Sequence, residues 1–584
     1  MKFQYLFYLL LTISQVGFGQ GEKNIDYNLD LGMPIKIDIA LAGNFCEMRS
    51  NHFHTGLDIK TNNKEGYRLY AIAGGYISRI RISPWGYGKA IYIQHHNGLT
   101  SVFAHCSDFP PLLDSLIYTI QKSHESGIID EMVIDLKIPV EKGDIIAYSG
   151  NSGSSSAPHL HFEIRETKTE HAINPLLFKC YKSVIKDTKT PEIRGIKFYA
   201  ITPEGFMIPG RHLYFSAKKD KDKYTINENK PIDISPILTK NSMLGIGCYS
   251  VDKLDAAYNI CGIHSATVFK DENIIHKQEM NYMNFDYNRF LNSHQDYYAF
   301  KNEKKHIHKQ FSTNQNPLPI YPINDGKIEW NHCESDYKIE VKDVHNNTSV
   351  IQFKIEKTSD TILTNPFEQG NYYFPNEINT VKLGGFEAIL EPGQFYEPVQ
   401  AVLKKEEQNE NQIFLSPTYK LFEFSIPVQS KINIRLKIPE VHKNLPENKL
   451  GLVLINEKGR YYFKGGYFEE GWINAKIRHF GSFALVIDTI SPKIKPLDFY
   501  ENKSITKYST LEFKISDDLS GVYSYKSYIN NHWVLTIYDR KKGRYIIPLD
   551  KRSKPFLKKG NNELTIIAID KLKNKKITKT NLVY

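Results

Sequence analysis

The run Ser149 to Arg165, SGNSGSSSAPHLHFEIR, decides how this chain is read. From His159 to Arg165 it alternates with period two: Leu160, Phe162 and Ile164 fall on one face, and His159, His161, Glu163 and Arg165 on the other. Such a strand buries one face in a core and presents two imidazoles in the same direction. The Gly- and Ser-rich residues before it form a turn. Working outward, Lys89 to Gln94 (KAIYIQ) and Leu99 to His105 (LTSVFAH) are strands joined at Asn97-Gly98, a favoured two-residue hairpin turn. Pro139 to Tyr148 (PVEKGDIIAY) is a strand-turn-strand with Lys142-Gly143 at its corner. Between them, Pro111 to Ser126 (PLLDSLIYTIQKSHES) predicts a helix of about three turns with Leu112, Leu113, Leu116 and Ile120 near one face, inserted over or beside the sheet.

The chemistry-bearing residues all lie at or before residue 165. Asn51 to Asp58 (NHFHTGLD) places His54 and Asp58 four apart, Phe103 to His105 ends in an imidazole, and His159 and His161 share a strand face. Zinc takes neutral imidazole nitrogens and carboxylate oxygens, and a catalytic site keeps one position open for water, so this set points to a metal hydrolase. His52, His95, His96, His124 and His171 are read as surface or satisfied core residues. Gly86 to Ala90 (GYGKA) is too short for a phosphate loop and lacks its Ser or Thr.

Taken in order, HTGLD, AIAGGYISRI, GYGKAIYIQHHNGLTSVFAH and VEKGDIIAYSGNSGSSSAPHLHFEIR resemble the lysostaphin/LytM-type zinc endopeptidases of peptidoglycan. With its flanks the resemblance runs from about Ile35 to Phe178, near a quarter of the chain. It implies that His54, Asp58 and His161 bind one Zn2+ per chain, and that His105 and His159 line the site as catalytic groups without being primary ligands. Either can serve as base, with His159 preferred because its neighbour His161 sets it beside the metal. The implied fold is a small antiparallel β structure crossed by a groove, which Gly86, Gly88 and the Ser149 to Ala157 turn help to shape. Glu163 is read either as an acceptor that orients an imidazole or as a strand-face carboxylate paired with Arg165. Arg49 is read either as attracting a carboxylate of the peptide stem or as a surface salt bridge. The stretch between His105 and Val140 is longer than in the simplest relatives, and the helix within it is placed to cap, narrow or gate the groove. The family includes members that have lost their metal residues and act by binding amidases. Here all five positions are intact.

Beyond this domain the chain of 584 residues predicts roughly four domains in total. Its 37 Tyr and 32 Phe, against 8 Met and 4 Trp, favour aromatic-rich strands over helical bundles. TPEIRGIKFYA (Thr190 to Ala200) and SPKIKPLDFYE (Ser491 to Glu501) share a spacing and each opens a strand-rich segment. The expectation is therefore a mainly β chain: a lysostaphin-like metallopeptidase domain over 20–185, with its insertion at about 110–138, then several β-sandwich (Ig-like) modules. These are placed at 186–309, 310–409, 410–490 and 491–584, with the Asn- and Pro-rich Asn314 to Asp325 separating the second and third units. The modules are expected to act as spacers, as wall-binding surfaces, as a brake on the groove, or as the contact for a cell-envelope protein partner.

Residues 1–19, MKFQYLFYLLLTISQVGFG, have the pattern of a signal peptide, which predicts a secreted or periplasmic protein. No later stretch is long and apolar enough for a transmembrane anchor. Six cysteines are too few for a disulfide scaffold, and Cys248 with Cys261 is the one expected pairing. A net charge of +10 is a mild bias, and no basic stripe with interleaved aromatics or zinc-finger spacing supports binding of nucleic acid. The expected partner is a peptidoglycan peptide. The competing expectation is a non-catalytic envelope protein that binds peptidoglycan or regulates a cell-wall amidase.

Overall fold

The computed structural model describes residues 25–221, 223–330, 334–407 and 413–584. The expected signal peptide and Cys333 lie outside them. The first unit contains β1 (Leu41–Gly43), β2 (Leu57–Lys60), β3 (Arg68–Tyr70), β4 (Gly75–Ile82), β5 (Lys89–His95), β6 (Leu99–Ala104), α1 (Pro111–His124), β7 (Ile129–Met132), β8 (Ile138–Val140), β9 (Ile145–Tyr148), β10 (His159–Glu166) and β11 (Ala172–Ile173). Its main sheet runs β1-β2-β10-β6-β5-β4-β7, while β3 and β9 pair separately.

The alternation in β10 does what period two requires of one face. Leu160, Phe162 and Ile164 are fully buried and join Leu57, Ile91, Ile93 and Phe103 in one core. The other face is covered as well, which the alternation did not predict. β11 pairs with Tyr282–Met283 of the second unit, and the Arg165 guanidinium stacks 4.2 Å from the Phe285 ring of that unit. Charge on that face is therefore sandwiched between units and must be paired internally.

α1 begins on Pro111, whose missing N–H costs nothing at a first helical position, and stops at Glu125 in the left-handed region. Its inward stripe is Leu113, Ile117 and Gln121, at i, i+4 and i+8. Leu112, expected near the buried face, points outward and is 89% exposed.

Beyond residue 186 the chain forms three further β units. The core of the second extends from Ile193 to Ile355, so the expected boundary at 310 falls inside it. The strand around 310 is pinned there because Gln310 N donates to Ile246 O at 2.8 Å. Asn314 to Asp325 is no linker either: Leu318 and Ile320 are buried against Phe45, Met48 and Phe53 of the first unit. The third unit is two five-stranded sheets around a core from Val381 to Leu485. The expected boundary at 410 lies between Leu403–Glu406 and Thr418–Leu421, which pair with each other. The fourth unit has its own core, from Phe499 to Leu582.

The expected Cys248–Cys261 disulfide is not formed; both thiols are free and buried. Cys248 belongs to the core of the second unit and Cys261 to that of the first. The residue opposite Cys261 is Asp252. No helix among the described residues is long and apolar enough to cross a membrane.

Candidate metal centre

Strand register brings the first two groups together. His161 on β10 sits directly opposite Asp58 on β2 and Ala104 on β6, which places the residue after Ala104, His105, at the same end of the sheet. His54 comes from the loop before β2. That loop is held by Cys46 N to His54 O at 2.7 Å and His54 N to Glu47 O at 2.9 Å, and by a clamp from the second unit in which Phe53 N donates to Asn288 Oδ1 at 2.6 Å. At Gly56 the loop lies so close to the Phe162 carbonyl that any Cβ would collide with it.

His54 Nε2, Asp58 Oδ1 and His161 Nδ1 then form a triangle with sides of 3.0, 3.0 and 2.9 Å. Donors about 2.0–2.1 Å from a tetrahedral zinc stand roughly 3.3 Å apart, so this donor set fits the ion in both chemistry and spacing. The outward-facing nitrogens are committed elsewhere. His54 Nδ1 donates to Asn44 O at 2.7 Å, and His161 Nε2 lies 2.9 Å from Glu163 Oε1. Each bond fixes the tautomer that turns a lone pair toward the triangle.

The electrostatics of the triangle favour positive charge on one of its imidazoles, His161. Burial disfavours a charged His161, but hydrogen bonds to Asp58 and Glu163 outweigh it and raise the ring to about 9. Burial opposes ionisation of Asp58 too, yet the His54 charge and bonds from three imidazoles hold it well below the usual carboxylate range. His54 is lowered, chiefly by burial.

Two more imidazoles flank the triangle. His159 Nδ1 is 2.9 Å from Ala157 O, and its Nε2 is 3.4 Å from Asp58 Oδ1. His105 sits at φ +61°, with Nδ1 2.9 Å from Ser152 O, and the His105 and His159 rings are 4.7 Å apart. Burial, then the neighbouring His161 and His159, push His105 down to about 3. The structure thus gathers His54, Asp58, His105, His159 and His161 in one place.

Glu163 satisfies both readings at once. Oε1 faces His161 and also accepts from Thr55 Oγ1 at 2.6 Å and Tyr87 OH at 2.5 Å; Oε2 accepts from Arg165 Nε at 2.8 Å and Nη2 at 2.6 Å. Arg49 does pair with a carboxylate, but a site one: its Nη2 is 3.0 Å from Asp58 Oδ2. Sequence reasoning missed Tyr87 and Thr55. The available signal for Tyr87 was its place in GYGKA between two glycines at φ +57° and +68°, which aim its ring to stack 5.2 Å from His161. His95 is a satisfied core histidine, bonded to Ala73 O at 3.0 Å and Ser101 Oγ at 2.7 Å.

The loops on either side of His105 interlock: Gly86 N donates to Ser154 Oγ, and Ser154 N to Gly86 O, both at 2.9 Å. The fourth unit touches this rim. Trp85 lies 6.4 Å from Tyr538 and Lys541 Nζ donates to Asn151 O. It grips α1 as well, through Tyr118 stacked on Trp533 at 6.3 Å and Arg552 on Asp114 at 3.3 Å.

Comparison with known proteins finds relatives for two stretches of the chain. Residues 125–175 match the model of peptidase family M23, and residues 371–488 that of a Zu5-like domain. Over 112 residues the chain is 31% identical to the DD-carboxypeptidase/endopeptidase Mpg of Neisseria meningitidis serogroup B, covering 19% of this chain and 20% of that protein. Over 126 residues it is 29% identical to an uncharacterized metalloprotease of Haemophilus influenzae, covering 22% and 21%. The chain thus spans about a fifth of the length of the curated relatives it matches. The catalytic domain of the antimicrobial peptidase lysostaphin from Staphylococcus simulans aligns at 22% identity with a TM-score of 0.18, covering 23% of this chain and 87% of that one.

Proposed function

We propose that the M23-family peptidase domain carried by this chain is a working zinc-dependent endopeptidase that cuts peptide bonds in the stems or cross-links of peptidoglycan. The observation that carries this reading is the triangle of His54, Asp58 and His161 donor atoms, 2.9–3.0 Å on a side, with two more imidazoles beside it. Those three residues would hold one zinc ion. When bound, zinc supplies a Lewis acid that polarises a peptide carbonyl and brings the pKa of a water toward neutrality.

The rest is done by the chain's own groups. Arg49 holds the second oxygen of Asp58, which leaves Oδ1 aimed at the triangle. His159 is assigned as the base. Its Nδ1 is committed to the Ala157 carbonyl, so Nε2 carries the lone pair on the groove side, next to the ligands. It takes the proton of the attacking water and delivers it to the leaving amine as the C–N bond breaks. His105, held neutral by burial, offers a second Nε2 lone pair beside it, its ring 4.7 Å from that of His159. Glu163, fixed by Tyr87, Thr55 and Arg165, positions His161.

A second reading, a non-catalytic envelope protein that binds peptidoglycan or an amidase, is favoured by the contacts of the fourth unit on the groove rim at Trp85 and Asn151. Export through residues 1–19, an Ig-like character for the fourth unit and an envelope partner for the modules belong to the same proposal. The test incubates the full chain and its H54A/H161A variant with purified sacculi, with and without a chelator. New peptide termini from the wild type alone, abolished by the chelator and restored by zinc, support the peptidase. Intact sacculi that retain the protein support the second reading.

A further inference from the structure

The segment joining the first and second units carries Asp187, which folds back against two hairpins of the second. Asp187, Asp252, Asp343 and His345 line one small cavity of about 10 Å³, room for a single water-sized body. The three carboxylates are 7%, 2% and 2% exposed. Donor atoms of Asp187, Asp343 and His345 lie within 4.8 Å of one another.

Among the described residues no Lys or Arg pairs with these carboxylates. The nearby ammonium groups are turned to carbonyls: Lys189 Nζ to Leu254 O at 3.0 Å and Lys182 Nζ to Val344 O at 2.6 Å. Asp343 is held by Asn347, from N at 2.9 Å and Nδ2 at 2.6 Å. Asp187 Oδ2, Asp252 Oδ1 and His345 Nδ1 are buried without a hydrogen-bond partner. His345 Nε2 lies 3.3 Å from Lys182 O, a bond that leaves Nδ1 as the lone-pair nitrogen. Three buried carboxylates with no counter-charge are costly. Burial, with Asp343 and Asp187 adding to it, pushes Asp252 up to about 8.

The fourth unit builds the same corner. Asp488, Asp517 and Asp570 meet within 4.8 Å. Asn574 Nδ2 bonds Asp570 Oδ2 at 2.7 Å and Asp488 O at 2.9 Å, as Asn347 Nδ2 bonds Asp343 Oδ2 at 2.6 Å and Asp187 O at 3.0 Å. Asp187 and Asp488 each stand three residues before the Thr-Pro or Ser-Pro that opens a unit. In the fourth unit, however, backbone amides satisfy the acids: Leu519 N and Gly521 N donate to Asp517 Oδ1, and Ser520 N to Asp488 Oδ2. Leu572 stands where the other corner has His345. The corner of the fourth unit has its acids hydrogen-bonded by backbone amides. The other receives Lys189 N on Asp187 Oδ1 and Asn347 N on Asp343 Oδ1, leaves Asp187 Oδ2 and Asp252 Oδ1 unpartnered, and gains an imidazole.

We propose that Asp187, Asp343 and His345, with Asp252 lining the same cavity, bind a divalent cation that accepts imidazole alongside carboxylate, Mn2+ or Zn2+, and thereby lock the second unit onto the first. This donor mixture suits those ions better than Ca2+ or Mg2+, which favour oxygen alone. The lock reaches the groove. Asn44 lines the same cavity, its side chain bonds Gly262 of the second unit at 2.7 and 2.8 Å, and its carbonyl accepts a hydrogen bond from His54 Nδ1.

The test uses the full-length H54A/H161A chain, in which the groove lacks two ligands, stripped of metal and dialysed at pH 7.5 against Mn2+, Zn2+ or Ca2+. One Mn2+ or Zn2+ per chain by mass spectrometry is expected, with the first melting transition raised by roughly 5 °C at a hundredfold excess over the dissociation constant. D187N/D252N added to that chain should lose the ion and the shift, H345Q should weaken binding at least tenfold, and D517N should change neither. No bound ion and no shift in the parent chain would overturn the proposal, as would Ca2+ binding that H345Q leaves untouched.

Discussion

In the groove, both nitrogens that turn away from the ligand triangle have an oxygen of the chain as partner, Asn44 O for His54 and Glu163 Oε1 for His161. In the corner between the first two units only His345 Nε2 has such a partner, and two carboxylate oxygens have none. Both clusters are buried and both mix imidazole with carboxylate. The groove balances its acids internally: Arg165 pairs with Glu163, Arg49 pairs with Asp58, and hydrogen bonds to both acids push the His161 ring up. In the corner, among the described residues, no Lys or Arg pairs with a carboxylate, and the nearby Lys189 Nζ turns instead to Leu254 O. The comparison teaches that a buried acidic site is stable without its ion where the chain supplies a replacement charge, and depends on the ion where it does not.

The largest expected effects separate the two clusters. Asp58→Ala or His161→Ala should abolish release of wall peptides and remove the zinc of the groove, while the melting shift from Mn2+ at the corner persists. Asp252→Asn should do the reverse, so loss of both properties in either variant would break the distinction. Next in size, His159→Ala should lower turnover by roughly 10²–10⁴-fold with zinc content unchanged; a matching loss of zinc would make it a ligand and not a base. Glu163→Gln should weaken zinc binding by about 10–100-fold, measured by competition with a chelating dye.

The raised His161 sharpens the same contrast through pH. Zinc must displace a proton bound with a pKa of about 9, so its affinity for the groove should fall about tenfold for each unit of pH below 9. In the metal-free chain the sign is opposite: the proton is bound more tightly folded than unfolded, so its stabilisation is complete below about pH 6.5 and is lost as pH rises through 9. Zinc titrations and melting curves between pH 6 and 9 check the two slopes. The smallest effect is expected at the fourth unit. Arg552→Ala breaks a partly exposed pair with Asp114 and should cost no more than about 1 kcal/mol, read as a small fall in melting temperature.

Legibility in the sequence follows how local the relevant physics is. The HTGLD run, the FAH strand end and HLHFEIR pointed to His54, Asp58, His105, His159 and His161, and the structure gathers all five. Coordination chemistry limits the residue types, and period two puts His159 and His161 on one face. Tyr87 and Thr55 were not legible, because a single hydroxyl carries no signature until the fold sets it against Glu163. The boundaries at 310 and 410 failed for a related reason: each falls between strands that share a core, while the chain there looks like linker. The Cys248–Cys261 pairing assumed that sequence neighbours share an interior, and the two thiols lie in different ones.

By itself, then, the sequence determined a mainly β chain, the inward face of β10 and the imidazole and carboxylate types that meet at the candidate metal centre, since each depends on side-chain chemistry and spacing within a few residues. Only the tertiary structure decided which strands share a core, that the second unit covers the far face of β10, and that Asp187, Asp252, Asp343 and His345 close on one cavity. Such contacts are chosen by burial between distant segments, as when Phe53 N donates to Asn288 Oδ1 across 235 residues, and no local pattern encodes a partner at that distance.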